Sequence, residues 1–224
     1  DEKTGRLETY KTPSTHENPL LAIQQGLAEL EIDLESVSRF AHGTTIGTNA
    51  VLERRGARTA LVTTAGFRDH IEIGDNLRYT GGLFDPHWER TRPLVPIPLR
   101  FEIRERIRGD GSVSTPLATD DLDAVIKRLR REKVESVAVC FLNSYRNPEH
   151  ETRVGAAIEQ ALDKTEVSVS SHIVPEWREF PRFSTAVMNA YIKPLLRTYL
   201  EELVSELRAG GCTGELLFMS SSTG

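Results

Sequence analysis

The sequence predicts an α/β fold in which helices flank a mixed sheet with at least some parallel pairing. After residue 118, short apolar segments alternate with segments of helical periodicity, and this alternation is typical of β–α units. One of these segments, Ser136–Leu142, is apolar almost throughout, as expected of a strand that is buried on both faces. A chain of 224 residues is long enough to bury a substantial core, as one large domain or two small ones.

Composition excludes several classes of protein. Hydrophobic residues make up 38% of the chain and charged residues 27%, as in globular proteins rather than disordered ones. The net charge is −5 and the basic residues are scattered, which argues against nucleic-acid binding. No apolar run approaches the ~20 residues that span a bilayer. We therefore predict neither a nucleic-acid partner nor a membrane segment.

Cysteine and histidine usage indicates neither a disulfide framework nor a metal site. Cys140 and Cys212 are the only cysteines, and Cys140 lies in the apolar segment, where cysteine packs as a small hydrophobic residue. The six histidines show no metal-ligand spacing. This usage predicts a reducing, cytoplasmic compartment.

Helical periodicity, capping residues and strand patterns predict the remaining elements. The predicted helices are one opened by Asn18-Pro19, a short one over 67–73, one over 120–133 capped by Thr119, one opened by Asn147-Pro148, and a long one over 183–208 interrupted at Pro194. The predicted strands cover 6–11, 36–40, 57–64, 99–107, 136–142, 167–173 and 215–219. Gly109-Asp110-Gly111 turns the fourth of these strands into a hairpin with 112–114.

Residues 74–98 hold many of the Gly and Pro residues and are predicted to form a long ordered loop. Loops of this length in compact domains are usually functional. Its aromatic residues Tyr79, Phe84 and Trp88 either contact a partner subunit or pack beneath the loop.

A polar motif follows the strand predicted over 36–40. It contains two glycines, three threonines and an asparagine between His42 and Asn49, and Thr48 or Asn49 can cap the helix that follows. A strand, a Gly/Thr turn and a helix N-terminus together predict an anion or phosphate site. An ordinary capped turn is the alternative.

Three further polar clusters are candidate sites. Arg178 and Arg182 can hold a carboxylate or phosphate bidentately, or they form structural ion pairs at a helix start. Asn189, on an otherwise apolar helix face, predicts a specific hydrogen bond. The run Ser220–Gly224 is either a phosphate loop or a turn.

Taken together, four motifs resemble those of the hydantoinase A / 5-oxoprolinase family, which includes the ATP-binding subunits of acetone- and acetophenone-type carboxylases. The matching segments are His42–Arg54 (HGTT-x-x-TNA-x-x-ER), Gly66–Gly74 (GFRD-x-x-EIG), Ser136–Glu151 (SVAV-x-FL-x-SY-x-NP-x-HE) and Glu179–Tyr191 (E-x-x-R-x-ST-x-x-x-NAY). The resemblance runs essentially from end to end and is more specific than any single motif.

The resemblance implies an actin-like ATPase (ribonuclease H-like) fold. It implies an N-terminal hydantoinase/oxoprolinase domain over 1–180 and the start of a core domain over 181–224. The family's first strand and glycine-rich phosphate loop would precede Asp1, and its MQSNGG-like segment is Met219–Gly224 (MSSSTG) here. We therefore expect a fragment that is cut at both ends.

The function implied by the resemblance is ATP-dependent opening of a cyclic amide, such as a hydantoin or 5-oxoproline, with Mg²⁺ aiding. The expected catalytic residues are His42, Thr45 and Arg182. The expected ligand- or phosphate-binding residues are Gly43, Thr44, Thr48, Asn49, Asn189, Ser221 and Ser222. No metal-binding residue is expected.

Two alternatives stay open at this point. The chain could be part of a carboxylase subunit, or an inactive fragment that serves as a fold or partner-binding module. The resemblance also implies a hydantoinase B-type partner subunit or domain and an oligomer.

Overall fold

The structure is a computed structural model, and it describes residues 5–13, 19–75, 87 and 91–219. The predictions for Tyr79, Phe84, Trp88, Ser221 and Ser222 fall outside these residues. The chain divides into two compact units, one formed by 1–45 and 197–224 and the other by 46–196. Among the described residues, no helix has both the length and the apolar character needed to cross a membrane.

Helices and strands alternate along most of the chain. The helices are α1 (Pro19–Glu29), α2 (Ile46–Leu52), α3 (His70–Ile73), α4 (Thr119–Arg131), α5 (Glu149–Ala161), α6 (Ser170–Ile173) and α7 (Glu179–Ala209). The strands are β1 (Arg39–Gly43), β2 (Thr59–Thr64), β3 (Arg100–Ile103), β4 (Arg106–Ile107), β5 (Val113–Thr115), β6 (Ser136–Cys140), β7 (Glu166–Val169) and β8 (Glu215–Met219).

In the first unit, β1 and β8 form a parallel pair in which His42 is in register with Phe218 and Gly43 with Met219. Its buried apolar residues include Leu20 on α1 and Leu203 and Leu207 on α7. Gly214 lets the chain turn into β8, because a Cβ there would lie 2.2 Å from the carbonyl oxygen of Val37.

The second unit is built on a four-stranded sheet with the order β3-β2-β6-β7, in which every neighbouring pair is parallel. All residues of β2 and β6 are buried, as the apolar 136–142 segment predicts. Helix α5 packs closely on β7, since a Cβ at Gly155 would lie 2.7 Å from a methyl group of Val169. The carboxyl ends of all four strands meet at one edge of the sheet.

The predicted hairpin after residue 107 is confirmed. Strands β4 and β5 are antiparallel, and Gly111 has φ 88°, which glycine adopts readily. The carboxylate of Asp110 accepts hydrogen bonds from the backbone N–H and hydroxyl of Ser112. The preceding strand is split, however, into β3 and β4.

Several predicted helix boundaries are wrong. Helix α2 begins at Ile46, so Thr48 and Asn49 lie within it and do not cap it. Ala118, not Thr119, is the N-cap of α4. Helix α7 runs from Glu179 through Pro194 without interruption. Proline inside a helix costs ~3 kcal/mol, and burial of apolar side chains on α7, each contributing about 1.5–3 kcal/mol, outweighs that cost.

Three strand predictions also need correction. Residues 6–11 form no strand. The strand predicted over 36–40 begins only at Arg39, and a 3₁₀ turn over Leu34–Ser36 precedes it. Strand β7 ends at Val169 and the chain continues as the short helix α6. There, Ser170 and Ser171 bond to the side chain of Glu151, so a tertiary contact decides the local structure. The short helix predicted over 67–73 is present only as His70–Ile73.

Candidate active site

The polar motif that follows residue 41 belongs partly to each unit, and each half is described within its own unit. In the first unit, His42 lies on β1 and Gly43 ends that strand. Thr44 and Thr45 follow, and Thr45 is exposed. In open α/β sheets, ligands bind beyond the carboxyl ends of parallel strands, and this is the position that these residues occupy at the β1–β8 pair.

His42 is held by a tyrosine within the first unit. The hydroxyl of Tyr199, on α7, lies 2.8 Å from Nε2 of His42, and the two ring centroids are 5.7 Å apart with the rings tilted by 46°. Burial lowers the pKa of His42 below its ordinary value and raises the pKa of Tyr199. At neutral pH the pair is therefore a neutral imidazole and a protonated phenol.

In the second unit, Thr48 and Asn49 lie on α2 and are exposed. They supply a hydroxyl and an amide, while residues 42–45 in the first unit supply hydroxyls and an imidazole, and the segment 42–49 contains no carboxylate. Each half therefore suits phosphate oxygens better than a metal ion bound directly by the protein. Within the described residues, no group of three His, Cys, Asp or Glu side chains could hold a metal ion.

A buried carboxylate, Glu151, organises the carboxyl edge of the parallel sheet. Its Oε1 accepts hydrogen bonds from the backbone N–H of Phe141 (2.6 Å) and from the hydroxyl of Ser170 (2.7 Å). Its Oε2 accepts from the backbone N–H of Ser171 at 2.8 Å. Glu151 thereby ties the end of β6 to the end of β7.

A second buried cluster lies at the same edge. The carboxylate of Glu105 contacts the hydroxyl of Thr64 and lies 2.8 Å from Nδ1 of His150. The backbone N–H of Leu142 donates to the Thr64 hydroxyl at 3.1 Å. The cluster joins the end of β2 to the segment that follows β6.

Arg182 is fully buried near this edge. Its Nη2 donates to the carbonyl of Phe141 (2.9 Å) and lies 3.4 Å from a carboxylate oxygen of Glu179. Its Nε and Nη1 have no hydrogen-bond partner among the described residues. Arg178 instead lies on the surface, 3.5 Å from Asp75. The two arginines therefore have different environments, and in both cases a structural ion pair is present.

Asn189 makes the specific hydrogen bond that its position predicts. Its amide nitrogen donates to the hydroxyl of Ser168 on β7 at 3.0 Å. The side chain is half-buried, so part of it stays accessible. Asn189 therefore links α7 to the sheet.

The GFRD-x-x-EIG segment has a structural explanation. The carboxylates of Asp69 and Glu72 lie 3.2 and 2.9 Å from Nη1 of Arg100, which is buried. The backbone N–H of Gly66, at φ 86°, donates to the carboxylate of Glu102 at 2.7 Å. These contacts anchor the segment after β2 onto β3.

Cys140 is buried, as predicted, in an environment that disfavours the thiolate. Burial raises the pKa of its thiol well above the ordinary value, and the charge of nearby Glu151 raises it further, while Arg182 opposes the shift. A thiol needs the opposite shift to react as a thiolate.

Sequence reasoning missed Tyr199 and Glu105. Tyr199 reads as one more apolar residue of a long helix, and its partner is 157 positions away. Glu105 stands among charged residues between two strands, where a solvated side chain is the default expectation. Only their tertiary contacts distinguish them.

Comparison with known proteins identifies the family to which this chain belongs. The sequence profile of the hydantoinase/oxoprolinase N-terminal region matches residues 1–162, and the hydantoinase/oxoprolinase profile matches 182–224. The chain belongs to the hydantoinase/oxoprolinase family.

Three curated relatives illustrate the range of the family. The caprolactamase subunit alpha of Pseudomonas jessenii is 34% identical over 89% of this chain and 30% of its own length. The 5-oxoprolinase of Saccharomyces cerevisiae is 29% identical over 87% of this chain and 17% of its own length. The acetophenone carboxylase gamma subunit of Aromatoleum aromaticum is 30% identical over 89% and 29%, respectively. The chain thus spans a third or less of the length of these relatives.

Two solved structures share the fold. The ATP-dependent caprolactamase from Pseudomonas jessenii has a TM-score of 0.89 at 32% identity, over 96% of this chain and 32% of that one. The nucleotide-free acetone carboxylase has a TM-score of 0.78 at 22% identity, over 93% and 32%. The likeness confirms the α/β, actin-like ATPase class.

Proposed function

We propose that the whole protein is an ATP-dependent cyclic amide hydrolase of the hydantoinase or 5-oxoprolinase type, and that this chain supplies part of its ATPase subunit. The observation that carries the proposal is family membership over most of the chain. Relatives named as a caprolactamase subunit and a 5-oxoprolinase support it, because both names describe lactam-ring substrates. The domain boundary near residue 180 belongs to the same proposal.

Phosphorylation solves the chemical problem that a ring amide poses. An amide carbonyl is a poor electrophile, so water attacks it slowly. Transfer of the γ-phosphoryl group of ATP to the amide oxygen releases ADP and makes that oxygen a leaving group. Water then adds at the carbon, and the ring opens when the C–N bond breaks and the nitrogen takes up a proton. A second water hydrolyses the resulting acyl phosphate, releasing phosphate and the carboxylate. Catalysis of the transfer consists mainly of positioning and charge neutralisation.

The proposed roles follow the polar motif. Gly43, Thr44 and Thr45 in the first unit contact phosphate oxygens. His42 either transfers a proton or orients the reacting group. In the second unit, Thr48 and Asn49 are assigned ligand contact. Mg²⁺ arrives with the nucleotide, since it is usually bound through substrate phosphates together with few protein ligands.

The remaining assignments concern residues that follow β7 and β8. Arg182 is assigned to transition-state charge through Nε and Nη1, the atoms that its structural contacts leave unused. Asn189 is assigned ligand contact through the part of its side chain that does not bind Ser168. Ser221 and Ser222 are assigned phosphate contact on the resemblance alone. A hydantoinase B-type partner, an oligomer and a cytoplasmic location complete the proposal, and relatives named as subunits support the partner.

The test is an assay of the whole protein with its partner subunit. The substrates are 5-oxoproline, N-methylhydantoin and acetone, each with and without ATP and with and without bicarbonate. We expect ATP-dependent ring opening that does not need bicarbonate. Turnover of the ketone alone, and only with bicarbonate, would sink the hydrolase proposal.

A carboxylase subunit is the second candidate, and the 30% identity to the acetophenone carboxylase gamma subunit favours it. In that case the phosphoryl group would go to an enol or to bicarbonate. The same assay decides between the two candidates.

A binding or assembly module is the third candidate, for residues 1–224 taken alone. The chain covers about a third of its caprolactamase relative, so we expect these residues to hydrolyse no ATP in isolation. Robust Mg²⁺-dependent hydrolysis by residues 1–224 would show that the phosphate site has been misplaced.

A further inference from the structure

The contact between His42 and Tyr199 restricts the position and tilt of the imidazole and engages one of its two nitrogens. Tyr199 is almost completely buried, at 7% exposure, and it lies on helix α7 while His42 lies on β1. A hydrogen bond of 2.8 Å and a ring contact at 5.7 Å together restrict both the place and the tilt of the imidazole. The contact involves Nε2, so Nδ1 is the nitrogen that Tyr199 leaves to other partners.

The chemistry of the two groups favours one direction for this hydrogen bond. Burial keeps the imidazole neutral and the phenol protonated. A neutral imidazole has one N–H donor and one nitrogen lone pair. A phenol is a stronger hydrogen-bond donor than acceptor, and an sp² imidazole nitrogen is a strong acceptor. The stronger arrangement therefore has the Tyr199 hydroxyl donating to Nε2, which places the imidazole proton on Nδ1.

We propose that Tyr199 is a positioning residue that holds His42 as the Nδ1–H tautomer, so that His42 offers a hydrogen-bond donor to the reacting phosphoryl or carbonyl oxygen. This inference rests on the proposed function for its second half only. It narrows the role of His42 from proton transfer or orientation to orientation and charge stabilisation, because the basic nitrogen is occupied by the phenol.

The tautomer can be measured directly. Residues 1–224 are prepared with ¹⁵N-labelled histidine, and long-range ¹H–¹⁵N spectra identify the protonated nitrogen of each ring. The His42 signals are assigned by their loss in His42→Gln. We expect a protonated Nδ1 and an unprotonated Nε2 in the wild-type chain. A protonated Nε2 in the wild type would overturn the proposal, whatever the variants do.

Tyr199→Phe removes the hydroxyl and keeps the ring. We expect the His42 signals to change from a single Nδ1–H form to a mixture of both tautomers. Tyr191→Phe is the matched control, because Tyr191 is similarly buried, at 6% exposure, in the second unit; it should leave the His42 signals unchanged. Equal effects of the two variants, or none from Tyr199→Phe, would contradict the proposal.

The catalytic half is tested in the whole protein with its partner. Tyr199→Phe should lower kcat about tenfold, the scale of one hydrogen bond, while KM changes little. An unchanged kcat alongside a changed tautomer would refute the catalytic half. If the wild type opens no cyclic amide, the proposed function fails, but the spectra still decide the tautomer.

Discussion

Oε2 of Glu151 accepts a hydrogen bond from the backbone N–H of Ser171 at 2.8 Å, although Glu151 has no solvent exposure. Its other oxygen accepts from Phe141 and Ser170. Three donors from the ends of two adjacent strands thus converge on one carboxylate. Removal of a partner from a buried polar group is costly because the remaining groups are left unsatisfied.

Glu151→Gln should lower the free energy of unfolding by about 3 kcal/mol. The amide group can point its NH₂ toward either side, and in both orientations that NH₂ meets a backbone N–H, of Phe141 or of Ser171. Urea unfolding monitored by circular dichroism measures the change.

Glu149→Gln is the control on the same helix. Glu149 is exposed and pairs with Arg153 at 3.7 Å, so its change should stay within ~0.5 kcal/mol. Similar losses for both variants would show that the effect comes from the charge of α5 and not from the buried hydrogen bonds.

Arg100→Met should also destabilise the second unit, by about 2 kcal/mol. The Arg100 side chain is 2% exposed and its Nε donates to the carbonyl of Val95 at 3.0 Å, while Nη1 pairs with Asp69 and Glu72. The loss is moderated because water can hydrate the two carboxylates, which are 49% and 37% exposed. Thermal unfolding measures the change.

Arg104→Met is the matched control, four residues further along the chain. Arg104 also makes two ion pairs, both at 2.7 Å, but its side chain is 62% exposed. Exposed ion pairs contribute little to folding stability. The melting temperature of Arg104→Met should therefore fall much less than that of Arg100→Met. A larger fall for Arg104→Met would mean that ion-pair number matters here more than burial.

Acid should destabilise the protein partly through His70. Burial lowers the pKa of His70 from its ordinary 6.5, against the opposing charges of Glu179 and Asp75. As the pH falls through 6.5, the unfolded chain takes up this proton before the folded one does. The stability contribution is therefore present above pH 6.5 and is lost as the pH falls toward the folded-state pKa.

His70→Gln removes this titration. Unfolding free energies measured at several pH values between about 5 and 8 should show a shallower dependence on pH in the variant than in the wild type. The comparison uses the slope, so a constant offset in stability between the two proteins does not affect it. Identical slopes would mean that His70 takes up its proton equally in the folded and unfolded states.

The sequence predicted elements that depend on local pattern and missed features that depend on tertiary contact. Strand β6 begins at the predicted Ser136 because a buried parallel strand needs a continuous apolar run. Gly109-Asp110-Gly111 likewise determines the hairpin between β4 and β5. Residues 170–173, in contrast, carry strand-like sequence but form α6, because bonds to Glu151 lie beyond any local pattern.

The candidate site likewise has features that the local sequence pattern predicts and features that it does not. The Gly/Thr motif after β1 is visible in the sequence, and its position at a strand's carboxyl end agrees with the expected turn. The helix start was misplaced because Thr48 and Asn49 are good capping residues, whereas the helix already begins at Ile46. The environment of Arg182 was also beyond prediction, because a surface and a fully buried arginine have the same local signature.

The corrected helix start changes how the motif is tested in the whole protein. Thr45 now stands directly before α2, so its hydroxyl can serve the helix end as well as a ligand. If the motif faces the reacting phosphoryl group, His42→Ala and Thr45→Val should each lower kcat by roughly 10²-fold or more. Thr45→Ser keeps the hydroxyl and should retain most of the activity.

Measurements of kcat and of thermal unfolding on Thr45→Val and His42→Gln separate catalysis from capping. Loss of a capping hydroxyl costs about 1 kcal/mol, so a lower melting temperature is compatible with either role for Thr45. His42 does not precede a helix, and His42→Gln should leave the helix end intact. A fall in kcat for His42→Gln together with Thr45→Val therefore supports a site at the end of β1. Wild-type kcat in both variants, with a lower melting temperature only in Thr45→Val, would reduce the motif to a helix cap.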